Sequence, residues 1–297
     1  MLIYLDTKNY VDLIDRNSKS PTYDEFLGLL KAGNHKVALS VPLFHELIRP
    51  LWDNQPNVVV TRTMNMVEAL PHTWLDLARL PSLEVARALE SHVAGVPYLQ
   101  INPFCERYQD ALLQASPYLR GMIGLSLAEA AFDTWNGGRG SFSLPDIQRQ
   151  EAATYRQLVA QERQFLSTLR NKSDGRRKLI ARKVAERIQR ERMLDPSAAE
   201  ADSVGTEVGR VVASTAGSCS GLKVVFEAFH AVTENLRDKL QDGDLMDMAH
   251  AGAIPYVDHF VADRRMYQYL SLAARRACVS KGKIWQRLSD LVPALSC

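Results

Sequence analysis

The chain opens on a short unbroken apolar run, Leu2-Ile3-Tyr4-Leu5, closed by Asp6. A run of this length, bearing Ile and Tyr, predicts a buried strand. The period then turns helical. Tyr10, Leu13 and Ile14 share one face, and Tyr23 to Leu30 sets Phe26, Leu27 and Leu30 at helical spacing before Gly33-Asn34 stops the helix. Val37-Ala38-Leu39 predicts a second strand. Ser40 is placed to cap the helix that follows, Pro42 suits its first turn, and Phe44, Leu47 and Ile48 form its apolar face before Pro50.

A long helical middle follows. The pattern predicts helices over 61–70 and 82–93, a short strand at Trp74-Leu75-Asp76-Leu77, helical periodicity over 106–135, and a loop at 136–141. Ser143 with Pro145 opens a long helix to about Leu169, and Asp174-Gly175 is expected to break it before a basic helix over 176–192. Two small-residue stretches, 195–202 and 214–221, separate further helices. Near the end the strand-and-helix alternation returns: a helix from Asp244 to about Ala253, an apolar strand over 257–262, and a helix from Arg264 to about Cys278. Alternation at both ends predicts an α/β fold whose central parallel sheet is built from residues 1–50 and 240–280. The expected division is a core of 1–50 and 240–297 with a mostly α-helical insertion over 51–239, of which about 55–95 completes the core.

Composition narrows the picture. With 297 residues, 46% of them apolar, the chain has the material for a substantial core, and a net charge of +2 excludes a global field toward polyanions. From Arg170 to Arg192, however, ten Lys/Arg face three acids, a local +7 that leaves the remainder at −5. A polyanion contact is therefore expected to be local. Cys105, Cys219, Cys278 and Cys297 show no paired spacing, which fits reduced thiols and argues against zinc. The N-terminus lacks the pattern of a signal peptide and no run is long enough to span a bilayer, so a cytoplasmic location is expected.

Candidate chemistry lies in the acids at the element ends: Asp6, Glu46, Asp244, Asp247 and Asp263. Taken singly, Asp6 and Asp263 are ordinary helix caps, Asp244 and Asp247 resemble a cap with an acidic first turn, and Glu46 has the alternative of simply facing water. Taken together, they are placed to meet. In an open parallel sheet, ligands bind beyond the carboxyl ends of the strands where strand order reverses. Asp6 and Asp263 follow two strands, Glu46 lies about one turn into the helix after a third, and Asp244 and Asp247 share a helix face. Clustered carboxylates repel unless a cation neutralises them, and Mg²⁺ and Mn²⁺ take oxygen ligands of this kind.

These stretches resemble a PIN-like domain, a metal-dependent nuclease family. The order is similar: an acid after strand one, an acid in the helix after strand two, an acid opening a late helix, and an acid after the next strand. The run Pro255-Tyr256-Val257-Asp258-His259-Phe260-Val261-Ala262-Asp263 is the most specific part, and the likeness covers about a third of the chain. The chain departs from the family at Val261-Ala262, where a Ser or Thr often precedes the last acid, and in its long helical middle. The resemblance implies a PIN-like three-layer fold, and a ribonuclease in which Asp6, Glu46, Asp247 and Asp263 hold one or two Mg²⁺ or Mn²⁺, with Asp244 a ligand or a supporter. It also implies an RNA substrate and a cognate antitoxin or inhibitor protein. A homo-oligomer is compatible with it.

Other residues extend the reading. Asn9, one turn after Asp6, and His250, three after Asp247, are candidate supporters, whereas His259 lies about 13 Å along the strand from Asp263 and is expected to be structural. Arg176, Arg177, Lys178, Arg182, Lys183, Arg187, Arg190 and Arg192 offer phosphate contacts on one helix, against the alternative of a solvated face. Tyr108, Trp135 and Tyr155 do not interleave with them as a stacking platform would. No HExxH, GxxxxGK[ST] or GxSxG occurs. Three rival readings stay open: a DNA-directed nuclease, a non-catalytic nucleic-acid-binding protein, and a phosphotransfer hydrolase, for which Asp6-Thr7-Lys8 lacks a second acid.

Overall fold

The computed structural model describes residues 1–14, 21–33, 35–48, 57–105, 128–129, 144–168, 172–191, 201–235, 241 and 244–296. The expected helix over 106–135, apart from residues 128–129, lies outside them. So do the loop at 136–141, residues 195–200 of the first small-residue stretch, Tyr108, Trp135, Arg192 and Cys297.

In chain order the strands are β1 (Leu2–Leu5), β2 (Lys36–Ser40), β3 (His72–Leu75), β4 (Phe104–Cys105), β5 (His259–Val261) and β6 (Lys283–Trp285). They form one sheet in the order β4-β3-β2-β1-β5-β6, parallel throughout except for the β3–β4 pair. The expected parallel sheet is present, widened by β3, β4 and β6. The chain moves outward from β1 to β2 and β3, then returns to place β5 on the other side of β1. Strand order therefore reverses between β1 and β5.

Helices cover both faces, as a parallel sheet requires. One face carries α1 (Thr7–Ile14), α2 (Pro21–Ala32), α3 (Val41–Leu47), α4 (Asn57–Ala69) and, at the chain's end, α12 (Leu288–Leu295). Alternate strand residues Ile3, Leu5, Val37, Leu39 and Val261 point into this layer, against Tyr10, Phe26, Leu30, Met64 and Leu291. Tyr4, Ala38, Leu75 and Phe260 point the other way. There they meet α5 (Leu80–Ala94), α6 (Leu144–Thr168), α9 (Ser220–Glu234), α10 (Asp244–Ala251) and α11 (Met266–Arg276).

A satellite core joins α5 and α9 to α7 (Lys172–Arg190) and α8 (Ala201–Ser214) through Val85, Leu89, Val184, Ile188, Val208, Val212 and Leu222. Here α7 and α8 approach so closely that a Cβ on Gly209 would lie 2.2 Å from the Ala181 carbonyl oxygen. The helix α7 begins at Lys172, so Asp174 and Gly175, expected to separate it from the preceding helix, sit in its first turn. Asp174 instead pairs with Lys178 at 2.9 Å, a stabilising i,i+4 arrangement.

Two local devices fix the layers. Ser40 caps α3 as its position predicts, its Oγ accepting from the Leu43 N–H at 3.3 Å. The helix α9 has no capping side chain of its own. Buried Glu84 of α5 takes that place, accepting from the Gly221 and Leu222 N–H groups at 2.7 Å each and from the Tyr256 hydroxyl at 2.5 Å. Burial still holds the Glu84 carboxyl above its usual range, against the pull of these donors. No described helix is long and apolar enough to cross a membrane.

Candidate metal centre

The site forms where strand order reverses. Leu5 of β1 pairs with Val261 of β5, and the ladder runs one bond further, the Asp6 N–H donating to the Val261 carbonyl at 3.1 Å. Asp6, one residue past β1, and Asp263, two past β5, are thereby held side by side on one rim. Both also do the local work their positions suggest. An Asp6 Oδ accepts from the Thr7 N–H at 2.8 Å, and an Asp263 Oδ accepts from the Met266 N–H at 2.6 Å at the start of α11. Each carboxylate has a second oxygen, so capping and a further role are compatible.

Asp247 and His250, one turn apart on α10, reach the same place, as does Glu46 from α3. The electrostatics record the convergence. Burial, followed by the negative neighbours Asp6 and Asp263, pushes the Asp247 carboxyl up to about 8. Burial pushes Asp6 up to about 6, with Glu46 and Asp263 adding to the shift and His250 opposing it.

Behind the acids runs a buried hydrogen-bonded chain. The Tyr4 hydroxyl meets Ser40 Oγ at 2.7 Å and His250 Nδ1 at 2.5 Å, and His250 Nε2 meets Glu46 Oε2 at 3.1 Å. Thr7 Oγ1 donates to the same Glu46 oxygen. Burial alone would lower the His250 pKa, but the bond to Glu46 and the charges of Glu46, Asp6 and Asp247 raise it overall. Glu46 is thus gripped from both sides, by a ring from α10 and a hydroxyl from α1.

Asp244 has a different task. It is fully buried, and its two oxygens face the Arg265 guanidinium, with Nη2 to Oδ2 at 3.0 Å and a second contact from Nη1 to Oδ1. One oxygen also accepts from the Gln241 N–H at 3.0 Å. This pair ties the start of α10 to the start of α11 and so sets the position of Asp247. His45, kept neutral by burial at about 4, stays apart from the polar chain and lies 6.1 Å from the Phe44 ring. His259 accepts from the Trp285 ring N–H at 3.1 Å and is structural, as its distance along the strand implies.

Beside Asp6 and Asp263 opens a cleft of about 390 Å³, lined among others by Lys8, Asn9, Tyr23, Arg264 and Arg287. Asn9 is therefore next to the acids, as expected. Lys8, Arg264 and Arg287 did not stand out in the sequence, since each is a single cation near a strand end. Their common signal is position: they follow β1, β5 and β6 by two or three residues.

The basic helix is ion-paired in part. Arg176, only 13% exposed, lies 3.2 Å from Glu227 and 2.8 Å from Glu234 of α9. Lys178 pairs with Asp174, Arg182 and Lys183 with Glu186, and Arg187 with Glu191. Arg177 and Arg190 are exposed, with no salt-bridge partner among the described residues. Five cations of α7 thus have carboxylate partners, but Asp174, Glu186 and Glu191 are already counted in the local +7, and Glu227 and Glu234 are shared with Arg276, so the segment keeps a net positive charge.

Among the described residues, no three His, Cys, Asp or Glu side chains stand close enough together to form a ready metal-ligating group. The donor set nevertheless suits a hard cation: the negative neighbours that raise Asp6 and Asp247 are charge that a divalent ion would relieve. No family model matches the chain, and no curated protein or solved structure matches it.

Proposed function

We propose that this chain is a Mg²⁺- or Mn²⁺-dependent nuclease with a PIN-like core that hydrolyses phosphodiester bonds of RNA. The observation that carries the reading is that Asp6 and Asp247, at the sheet's point of strand reversal, are raised by burial and by the neighbouring carboxylates Glu46 and Asp263, acids drawn from both ends of the chain. They stand in the chain order that the resemblance implies.

In this reading Asp6, Asp247 and Asp263 hold the ion directly and Glu46 completes the set. Asp244, committed to Arg265, supports Asp247 from behind. When bound, the ion lowers the pKa of a coordinated water and stabilises charge on the leaving oxygen. The chain's own work is positioning. His250 and Thr7 fix one Glu46 oxygen. Asp6 and Asp263 are held by backbone bonds that do not depend on the ligand. The cleft beyond them admits the substrate.

The test is cleavage of labelled single-stranded RNA and DNA side by side, in Mn²⁺ and in EDTA, with Asp6→Asn and Asp263→Asn as controls. Cleavage of RNA that needs Mn²⁺ and both acids supports the reading. Preference for DNA moves it to the DNA-directed alternative. Binding without any metal-dependent cleavage leaves only a nucleic-acid-binding protein.

A further inference from the structure

The cleft is one-sided. Glu46 and His250 are hydrogen-bonded to each other and do not line the cleft. The opening lies over the ends of β5 and β6 and beside α2 and α12. Lys8, Arg264 and Arg287 line it, all three exposed, and none has a side-chain hydrogen bond or ion pair among the described residues. This contrasts with α7, where most cations are spoken for.

The cleft's charges balance: Lys8, Arg264 and Arg287 against Asp6, Asp12 and Asp263. A divalent ion on Asp6 and Asp263 would tip it to a net +2, which suits an anionic chain. Tyr23 supplies an aromatic wall, its orientation fixed by a hydrogen bond from its hydroxyl to Asp12 Oδ2 at 3.1 Å. At about 390 Å³ the space is near the lower end of small-ligand sites, the scale of one nucleotide and not of a duplex. The α7 helix lies beyond the opposite face of the sheet, packed on α5, α8 and α9.

We propose that this cleft is a subsite for one nucleotide of a single-stranded RNA, its phosphate held by Lys8, Arg264 and Arg287 and its base laid against Tyr23, so that the strand leaves the carboxylates toward β6 and away from the basic helix. The assignment rests on the nuclease reading of the adjacent acids. Phosphate contacts of this kind confer affinity without sequence preference, and an aromatic face accepts any base.

The test is fluorescence anisotropy with a labelled ten-nucleotide RNA in Ca²⁺, over a range of salt. The triple variant Lys8→Ala/Arg264→Ala/Arg287→Ala should bind at least tenfold more weakly, with a salt slope shallower by about two, from about 0.7 per phosphate contact on single strands. Tyr23→Ala should weaken binding about fivefold or more, as loss of a stacked base does, while Tyr23→Phe keeps the affinity. Arg177→Ala/Arg190→Ala should change it less than about twofold. Wild-type binding by the triple variant, a larger loss from the α7 variant, or tighter binding of duplex than of single strand would each overturn the subsite. Mn²⁺-dependent cleavage that needs Asp263 but not the three cations would sink the subsite and leave the nuclease standing. Cleft-dependent binding with no metal-dependent cleavage would do the reverse.

Discussion

Two regions of this molecule compete for a polyanion, and they differ in what surrounds their charge. The α7 helix has by far the denser basic sequence, yet Arg176 is sunk between Glu227 and Glu234, and Lys178, Arg182, Lys183 and Arg187 pair along the helix, leaving Arg177 and Arg190 exposed. The sheet rim carries only three cations, from three separate segments, but they stand beside an opening with no carboxylate partner among the described residues. Charge density along a chain therefore says little about charge available to a ligand. An ion-paired cation must leave its carboxylate to meet a phosphate, whereas a lone one need only shed water.

The comparison breaks most sharply at the carboxylates. Asp263→Asn or Asp247→Asn should cost RNA cleavage a hundredfold or more, about the worth of several kcal/mol of transition-state stabilisation, in single-turnover assays with Mn²⁺. Arg176→Ala and Arg187→Ala on α7 should leave the rate unchanged. A smaller effect is expected behind the acids. Tyr4→Phe and His250→Gln should weaken Mn²⁺ binding about 10-fold, in the range found for residues that orient ligands, as read by titration calorimetry. An unchanged affinity would reduce the buried chain to a packing feature.

Stability separates the regions in another way. Gly209→Val would force a side chain against the Ala181 carbonyl and should destabilise the α7–α8 pair by about 1–3 kcal/mol, measurable by urea unfolding, with Mn²⁺ affinity at the rim unaltered. The acids give a pH signature. The Asp247 carboxyl is at about 8 in the fold, against 3.8 ordinarily, and Asp6 is at about 6. Between these values the native state holds more protons than the unfolded one, so without a divalent ion stability should fall as pH rises from about 4 to about 8. His250, with its pKa raised, contributes in the same direction. Bound Mn²⁺ favours the ionised acids, so the rise in Tm that it produces should be larger at pH 8 than at pH 5. A metal-induced shift independent of pH would argue that these acids do not hold the ion.

The legible part of the fold was the part written in local pattern. The β1 and β2 strands, the Ser40 cap and the helices around them follow from runs and spacings within about ten residues. Asp6 and Asp263 were legible as strand-end acids, and His250 by its spacing of three from Asp247. What pattern could not separate was Asp244 from Asp247: an i,i+3 pair faces one way, and only Arg265, arriving 21 residues later, takes one of the two away. The partners of Arg176 stand 51 and 58 residues downstream, so its neutralisation has no local sign. The β6 strand is three residues and β4 two, too short for an alternation to show.

The Tyr4 strand has one neighbour close by in sequence and another far downstream. Its β2 edge pairs with residues 36–38, but its β5 edge waits for residues 259–261. Chains are synthesised from the N-terminus at about 5–20 residues per second, so a growing chain exposes Asp6 and Glu46 for most of its synthesis without Asp247 or Asp263 to complete the site. On the proposed reading, a product ending before residue 244 would be inert toward nucleic acid cleavage however well its first strands fold.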